Sequence, residues 1–197
     1  PRGVIVGIVT ADDALEVLED EGSEDVLLLA GAGGSADASE PLLTKVWRRG
    51  PMLLITVMAG LMMSRVMEYF APGSETADAA ESPWRVLISF IPMVLALSGT
   101  VGAQTSAVVV RGFAVGQIGP GRRGSAFTGE VQVGVALGFL CAILAAPAMA
   151  LFVSDWDAGA SMGIALFLAM SWAAIASCSI AMGSEAIGLD PALVAGP

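Results

Sequence analysis

Four apolar stretches, at about residues 50–70, 86–110, 130–153 and 160–183, restrict this chain more than any other feature. Each is close to the roughly twenty residues that a helix needs to cross a hydrocarbon core. A segment in lipid must satisfy its own backbone polar groups, and continuous apolar runs of this length do so as helices. The expected fold is therefore all-α: a polytopic membrane helix bundle of four complete transmembrane helices, with the start of a fifth after Asp190-Pro191. The mean hydropathy of +0.77 and a charged fraction of only 14% agree with a chain that lies mostly in a bilayer.

The first forty residues differ in kind. Ten of the nineteen acids lie before residue 41. Residues 1–31 read as the end of an acidic soluble module, 32–49 as a linker and interfacial helix, and 50–197 as a truncated membrane domain. Within the module, residues 3–9 (GVIVGIV) have the look of a short buried strand. Thr10 is placed to cap a helix, with Asp13 three residues on and acids at the positive end of the helix dipole. The Gly/Ala/Ser-rich stretch 31–40 reads as a flexible linker. Pro41 opens a short amphipathic helix ending in Trp47-Arg48-Arg49, residue types suited to a membrane interface. The chain opens at Pro1 and stops at Gly196-Pro197 just inside a new segment, so a fragment is expected.

Arginine placement sorts the ends of the spans. Arg48 and Arg49 precede the first, and Arg111, Arg122 and Arg123 lie between the second and third, whereas the loops at 71–84 and 154–159 are acidic. The positive-inside rule makes the arginine side, and with it the N-terminal module, cytoplasmic; Arg85 is the exception.

A net charge of −10 without a basic stripe argues against nucleic acid as a partner. The absence of histidine removes His-based triads and zinc sites, and Cys141 and Cys178 sit inside apolar runs as small packing side chains, so no enzyme is expected. The expected partner is the lipid bilayer; the acid clusters suit hard cations or merely solvate a surface.

Four places could bear on a cation. In the second segment Gly99 and Gly102, among polar neighbours with Gln104 and Thr105, could break the helix and turn carbonyl oxygens to a cavity. They could equally serve close helix packing. Glu130 heads a stripe of small residues (Gly134, Gly138, Ala142) and is either a functional buried carboxylate or an interfacial helix acid. Asp190 before Pro191 suits a helix cap as well as a ligand. The run that includes Asp12, Asp13, Glu16, Glu24 and Asp25 is a solvated face or, because its charges repel, a binding surface for divalent ions.

Residues 90–118 (FIPMVLALSGTVGAQTSAVVVRGFAVGQI) resemble the signature second transmembrane helix of the MgtE-type magnesium channels. Residues 189–197 (LDPALVAGP) resemble that family's entry into its last pore helix, and residues 6–31 the end of its second CBS domain. The chain departs from the pattern at Thr100, where the family has Asn, and at Ser98, where it has Gly; Thr105-Ser106-Ala107 stands for the usual Ser-Ala-Thr. The resemblance implies a homodimeric Mg2+ channel in the cell membrane, gated by cytoplasmic Mg2+ on acidic CBS-bearing domains. Mg2+ would be both the transported and the regulatory ion. It also implies a pore-associated role for Glu130, and a pore Asp about two helical turns beyond Pro197. Two alternatives stand beside it: a less selective divalent transporter that also takes Co2+, and a non-conducting anchor coupling a CBS sensor to a partner.

Overall fold

The computed structural model of the protein describes residues 7–33, 40–70 and 88–194, except the side chains of Glu19 and Glu68. The described residues form helices and no strand: α1 (Ala11–Leu29), α2 (Leu42–Phe70), α3 (Ile91–Ala114), α4 (Arg123–Val153), α5 (Trp156–Ala186) and the single turn α6 (Pro191–Val194). Helices α2 to α5 are each long and apolar enough to cross a membrane.

Helix α1 starts where its capping sequence places it. The Thr10 hydroxyl accepts the Asp13 N–H at 3.2 Å, and the Asp13 carboxylate accepts the Thr10 N–H at 2.8 Å. The expected strand is not formed in its described part. Ile8 and Val9 are exposed and have no regular backbone pairing. A strand needs a neighbour for its N–H and C=O groups, and none exists among the described residues. Residues 3–6 of that stretch lie outside them, as does the whole acidic loop expected at 71–84.

The expected interfacial helix and first span are one helix, α2, with Pro51 inside it. Helix α4 begins at Arg123 rather than Glu130, and α5 at Trp156 rather than Ala160. Hydropathy marks the part of a helix that lies in hydrocarbon, and these helices continue beyond it through polar and small residues. Between α4 and α5 the turn shrinks to Ser154, in left-handed conformation (φ 57°), and Asp155. The Asp155 carboxylate accepts the N–H groups of Asp157 and Ala158 and so opens α5.

The spans alternate in direction. Arg49 meets Glu130 near the starts of α2 and α4, and Arg65 lies 4.3 Å from the Phe152 ring near their ends, so these two helices run parallel. Gly102 meets Ser177 and, further along both helices, Val109 packs with Cys178 and Ala181, so α3 runs parallel to α5. Arg49 and Arg123 therefore stand at the same end of the bundle, as arginine placement predicts.

The core between the spans is built from residues such as Leu53, Met93, Leu97, Leu137, Leu166 and Met170, all essentially buried. The outward faces are apolar as well: Ile55, Met58, Phe139, Ile143, Leu168 and Trp172 are exposed. A soluble bundle would place polar groups there; in a bilayer these side chains meet lipid. The closest packing is the α4–α5 seam. Gly134 abuts Ala174, and a Cβ on Gly138 would stand 3.2 Å from the Phe167 carbonyl oxygen. Across the same seam, Gly163 and Gly159 face Ala146. Small residues let two backbones approach to this distance, which is the main source of helix association in lipid.

Candidate functional site

Helix α3 passes through its polar run without a break, so the expected opening of the backbone at Gly99 and Gly102 does not occur. The hydroxyls here turn back on their own helix. Ser98 Oγ donates to the Val94 carbonyl and Thr100 Oγ1 to that of Ala96, each at 2.8 Å. These bonds satisfy the side chains locally and leave the helical ladder intact, so this helix presents no free carbonyl ring.

The two glycines nevertheless line a groove of about 1070 Å³ along α3, together with Ser98 and Ser106, Ser177 of α5, Val26 of α1 and Ala192 of α6. They differ in role. A Cβ on Gly102 would stand 2.9 Å from Ser177 Oγ, so Gly102 lets α3 and α5 approach; Gly99 faces open space. Gly102 thus serves close packing, and both glycines border the groove without the opened backbone that the cavity reading required.

Gln104 and Thr105 are fully buried. Gln104 Nε2 donates to the Gly31 carbonyl at 2.8 Å. Gly31 (φ 71°) and Gly33 (φ 80°) shape a turn after α1 that packs against Met52 and Arg48 of α2, with Leu27 and Ala32 buried against Val108. The start of the expected flexible linker is therefore docked at the α2–α3 cleft; residues 34–39 lie outside the described part.

Glu130 is buried and does not line the groove. Arg49 Nη2 lies 2.9 Å from its Oε2 and 3.2 Å from its Oε1, and both side chains are about 95% enclosed. A carboxylate whose charge is cancelled this closely adds little field to a cation path. The reading of Glu130 as a free interfacial acid fails for the same reason. Removing one partner of a buried pair costs about 3–5 kcal/mol, because the other charge stays desolvated.

Asp190 acts as a cap: its Oδ1 accepts the Ala192 N–H at 2.9 Å at the start of α6. The N-terminal acids are spread along α1, and no group of three or more His, Cys, Asp or Glu side chains among the described residues is arranged to hold a metal. Asp13 is engaged with Thr10, whose hydroxyl and then backbone N–H hold its carboxyl below the ordinary value of 3.8. Asp20 approaches Arg111 of α3 at 3.9 Å.

Sequence reasoning missed the partner of Glu130, because Arg49 was assigned to the interface. The available signal was a pair of opposite charges, each at the same end of an apolar run. It also missed the ion pair of Arg123 with Glu185, which ties the start of α4 to the end of α5.

The profile of the MgtE family, described as a divalent cation transporter, matches residues 91–197, from the start of α3 onward. The chain belongs to the MgtE family. It is 29% identical over 203 residues to the magnesium transporter MgtE of Thermus thermophilus, covering 100% of this chain and 42% of that protein. It is 26% identical over 200 residues to magnesium transporter MgtE of Bacillus subtilis, again covering 100% and 42%. A third relative, magnesium transporter MgtE of Enterococcus faecalis, is 26% identical over 193 residues, covering 98% and 41%. The chain thus spans about two fifths of the length of these curated relatives. No solved structure matches it. MgtE membership and four membrane-length helices make this a multi-pass membrane protein whose relatives are transporters rather than enzymes.

Proposed function

We propose that the protein moves Mg2+ across the cell membrane, with the α3 groove as one wall of the path. The observation that carries this reading is that the segment matched to the divalent cation transporter family begins with the helix that carries Gly99 and Gly102. The groove is lined by hydroxyls, small residues and apolar side chains such as Leu95 and Val110, and at one end by Arg111, which faces Asp20 at 3.9 Å; no carboxylate lines it among the described residues. Mg2+ dehydrates reluctantly and is usually held through several of its waters, so such a wall suits a hydrated ion. Asp190 belongs to this reading as the cap that sets the direction of the segment after α5, not as a ligand.

The remaining parts of the proposal extend it. The protein acts as a homodimer with its N-terminal, CBS-type module in the cytoplasm. Asp12, Glu16, Glu24 and Asp25 bind regulatory Mg2+ together with acids of a neighbouring domain, which relieves their mutual repulsion and favours the closed state. The family description, divalent cation rather than magnesium alone, supports a second reading in which Co2+ is also carried.

The test is ion flux into liposomes that contain the full-length protein and an internal Mg2+ indicator. Gradient-driven Mg2+ entry is expected. Entry no faster than in protein-free liposomes would leave the anchor reading in its place.

A further inference from the structure

Helix α2 holds its weakest point beside its most deeply buried charge. Pro51 has no N–H, so the Trp47 carbonyl lacks its intrahelical partner, and the proline ring crowds that carbonyl. Gly50, just before it, is a poor helix former. A helix interrupted in this way bends or swivels at that place. On the far side of Pro51, Leu53, Val57 and Leu61 are buried in the core and fix the span. On the near side few side chains are buried, although Arg48 pairs with Glu40 at 3.2 Å. Leu42, Leu43 and Trp47 are exposed, Val46 packs only partly, and among residues 42–50 the one buried side chain is that of Arg49.

That side chain reaches across to Glu130 in the second turn of α4. A buried ion pair stabilises little relative to apolar residues of the same size, and its best-attested use is to fix one register of two elements. Here the register fixed is that of the near segment of α2 against the start of α4. From Glu130 the small-residue stripe of α4 leads into close contact with α5 at Gly134–Ala174, and Gly102–Ser177 carries the contact from α5 to α3. The turn at Gly33 lies against Arg48, so the same segment is also touched from the N-terminal side.

We propose that the Arg49–Glu130 pair is a coupling joint. It makes residues 42–49 of α2 move with α4 rather than swivel freely about Gly50-Pro51, and so passes displacement of the N-terminal part to the helices that line the groove. Arg49 is on this view a positioning residue for transport. The proposal rests on the transporter reading above.

The test compares full-length parent protein, Glu130→Gln, Arg49→Gln and the charge-exchanged double variant Arg49→Glu/Glu130→Arg in liposomes. Amide hydrogen exchange and Mg2+ uptake are both read. In each single variant, amides 44–49 exchange faster by about tenfold, as expected for local release of one segment, while the α4–α5 seam keeps its protection. Uptake falls in the same variants, and the double variant recovers both properties. Unchanged exchange at 44–49 in the single variants would overturn the joint, and so would faster exchange with uptake equal to the parent. If the single variants do not fold, the double variant decides: recovery of fold and uptake supports the joint, and failure of either contradicts it. A parent that shows no uptake counts against the transporter reading, whereas the exchange arm still reports on the joint.

Discussion

Ser177 Oγ on α5 stands 2.9 Å from where a Cβ on Gly102 of α3 would lie, so the two helices meet at a point with room for a hydrogen and little more. The obstacle is the end of a small, rotatable side chain rather than backbone. Gly102→Ala is therefore expected to fold with little loss, by rotation of Ser177. Gly102→Leu has no such escape and should destabilise the bundle by about 1–3 kcal/mol, the usual range for overpacking. Thermal unfolding in detergent checks both, and Ser177→Gly should recover part of the loss in the leucine variant.

The α4–α5 seam gives less. Gly134 lies against Ala174 and Gly138 against the Phe167 carbonyl, which is backbone and cannot rotate aside. Gly138→Leu should cost more than Gly102→Leu, above about 3 kcal/mol, since relief requires the helices to separate. A smaller loss for Gly138→Leu in the same assay would show that the seam is looser than described.

The two interhelical ion pairs at the arginine end predict unequal costs. Glu130 and Arg49 are almost enclosed, whereas the Arg123–Glu185 side chains are about one-third exposed. Glu130→Gln should lose about 3 kcal/mol or more, leaving the Arg49 charge buried without its counterion. Glu185→Gln should lose less than about 1 kcal/mol, since water screens that pair and can replace it. Equal losses in detergent unfolding would contradict the burial difference.

Helix α1 carries a pH dependence of definite sign. The Asp13 carboxyl titrates below its ordinary 3.8 because the Thr10 hydroxyl and N–H favour its charged form. Its support for the helix start is therefore complete above that value and disappears as pH falls through the lowered folded value. The protection of amides 11–16, measured relative to the intrinsic exchange rate at each pH, should fall below pH 3.8 in the parent. Thr10→Ala, which removes the hydroxyl acceptor, should show faster exchange already at neutral pH.

The number of spans and their alternation were legible in the sequence because bilayer thickness imposes a length that hydropathy reads directly. The capping box at Thr10 was legible because capping is local. The outcome at α3 was not: Gly99 and Gly102 can serve an open backbone or a tight contact, and the tight contact at Gly102 depends on Ser177 of another helix, whereas Gly99 meets nothing. The partner of Glu130 was hidden for a related reason. Both faces of these helices are apolar, so periodicity does not tell which side of α2 is turned inward, and Arg49 reads equally well as an interfacial side chain. The described end of the stretch 3–9, residues 7–9, is not a strand, because a strand depends on a neighbour that composition does not reveal.

Gly99 offers the most direct measurement on the transport path, because it lines the groove and a Cβ there would meet no other atom within 4 Å. Gly99→Trp should fill the groove while leaving the bundle folded. Mg2+ uptake would be measured in liposomes with full-length parent and Gly99→Trp proteins, matched for folded amount by thermal unfolding. If α3 walls the path, the parent admits Mg2+ down its gradient and the tryptophan variant is slower by about tenfold or more, a rise of roughly 1.4 kcal/mol in the barrier. Equal uptake by the two folded proteins would contradict a path along this helix.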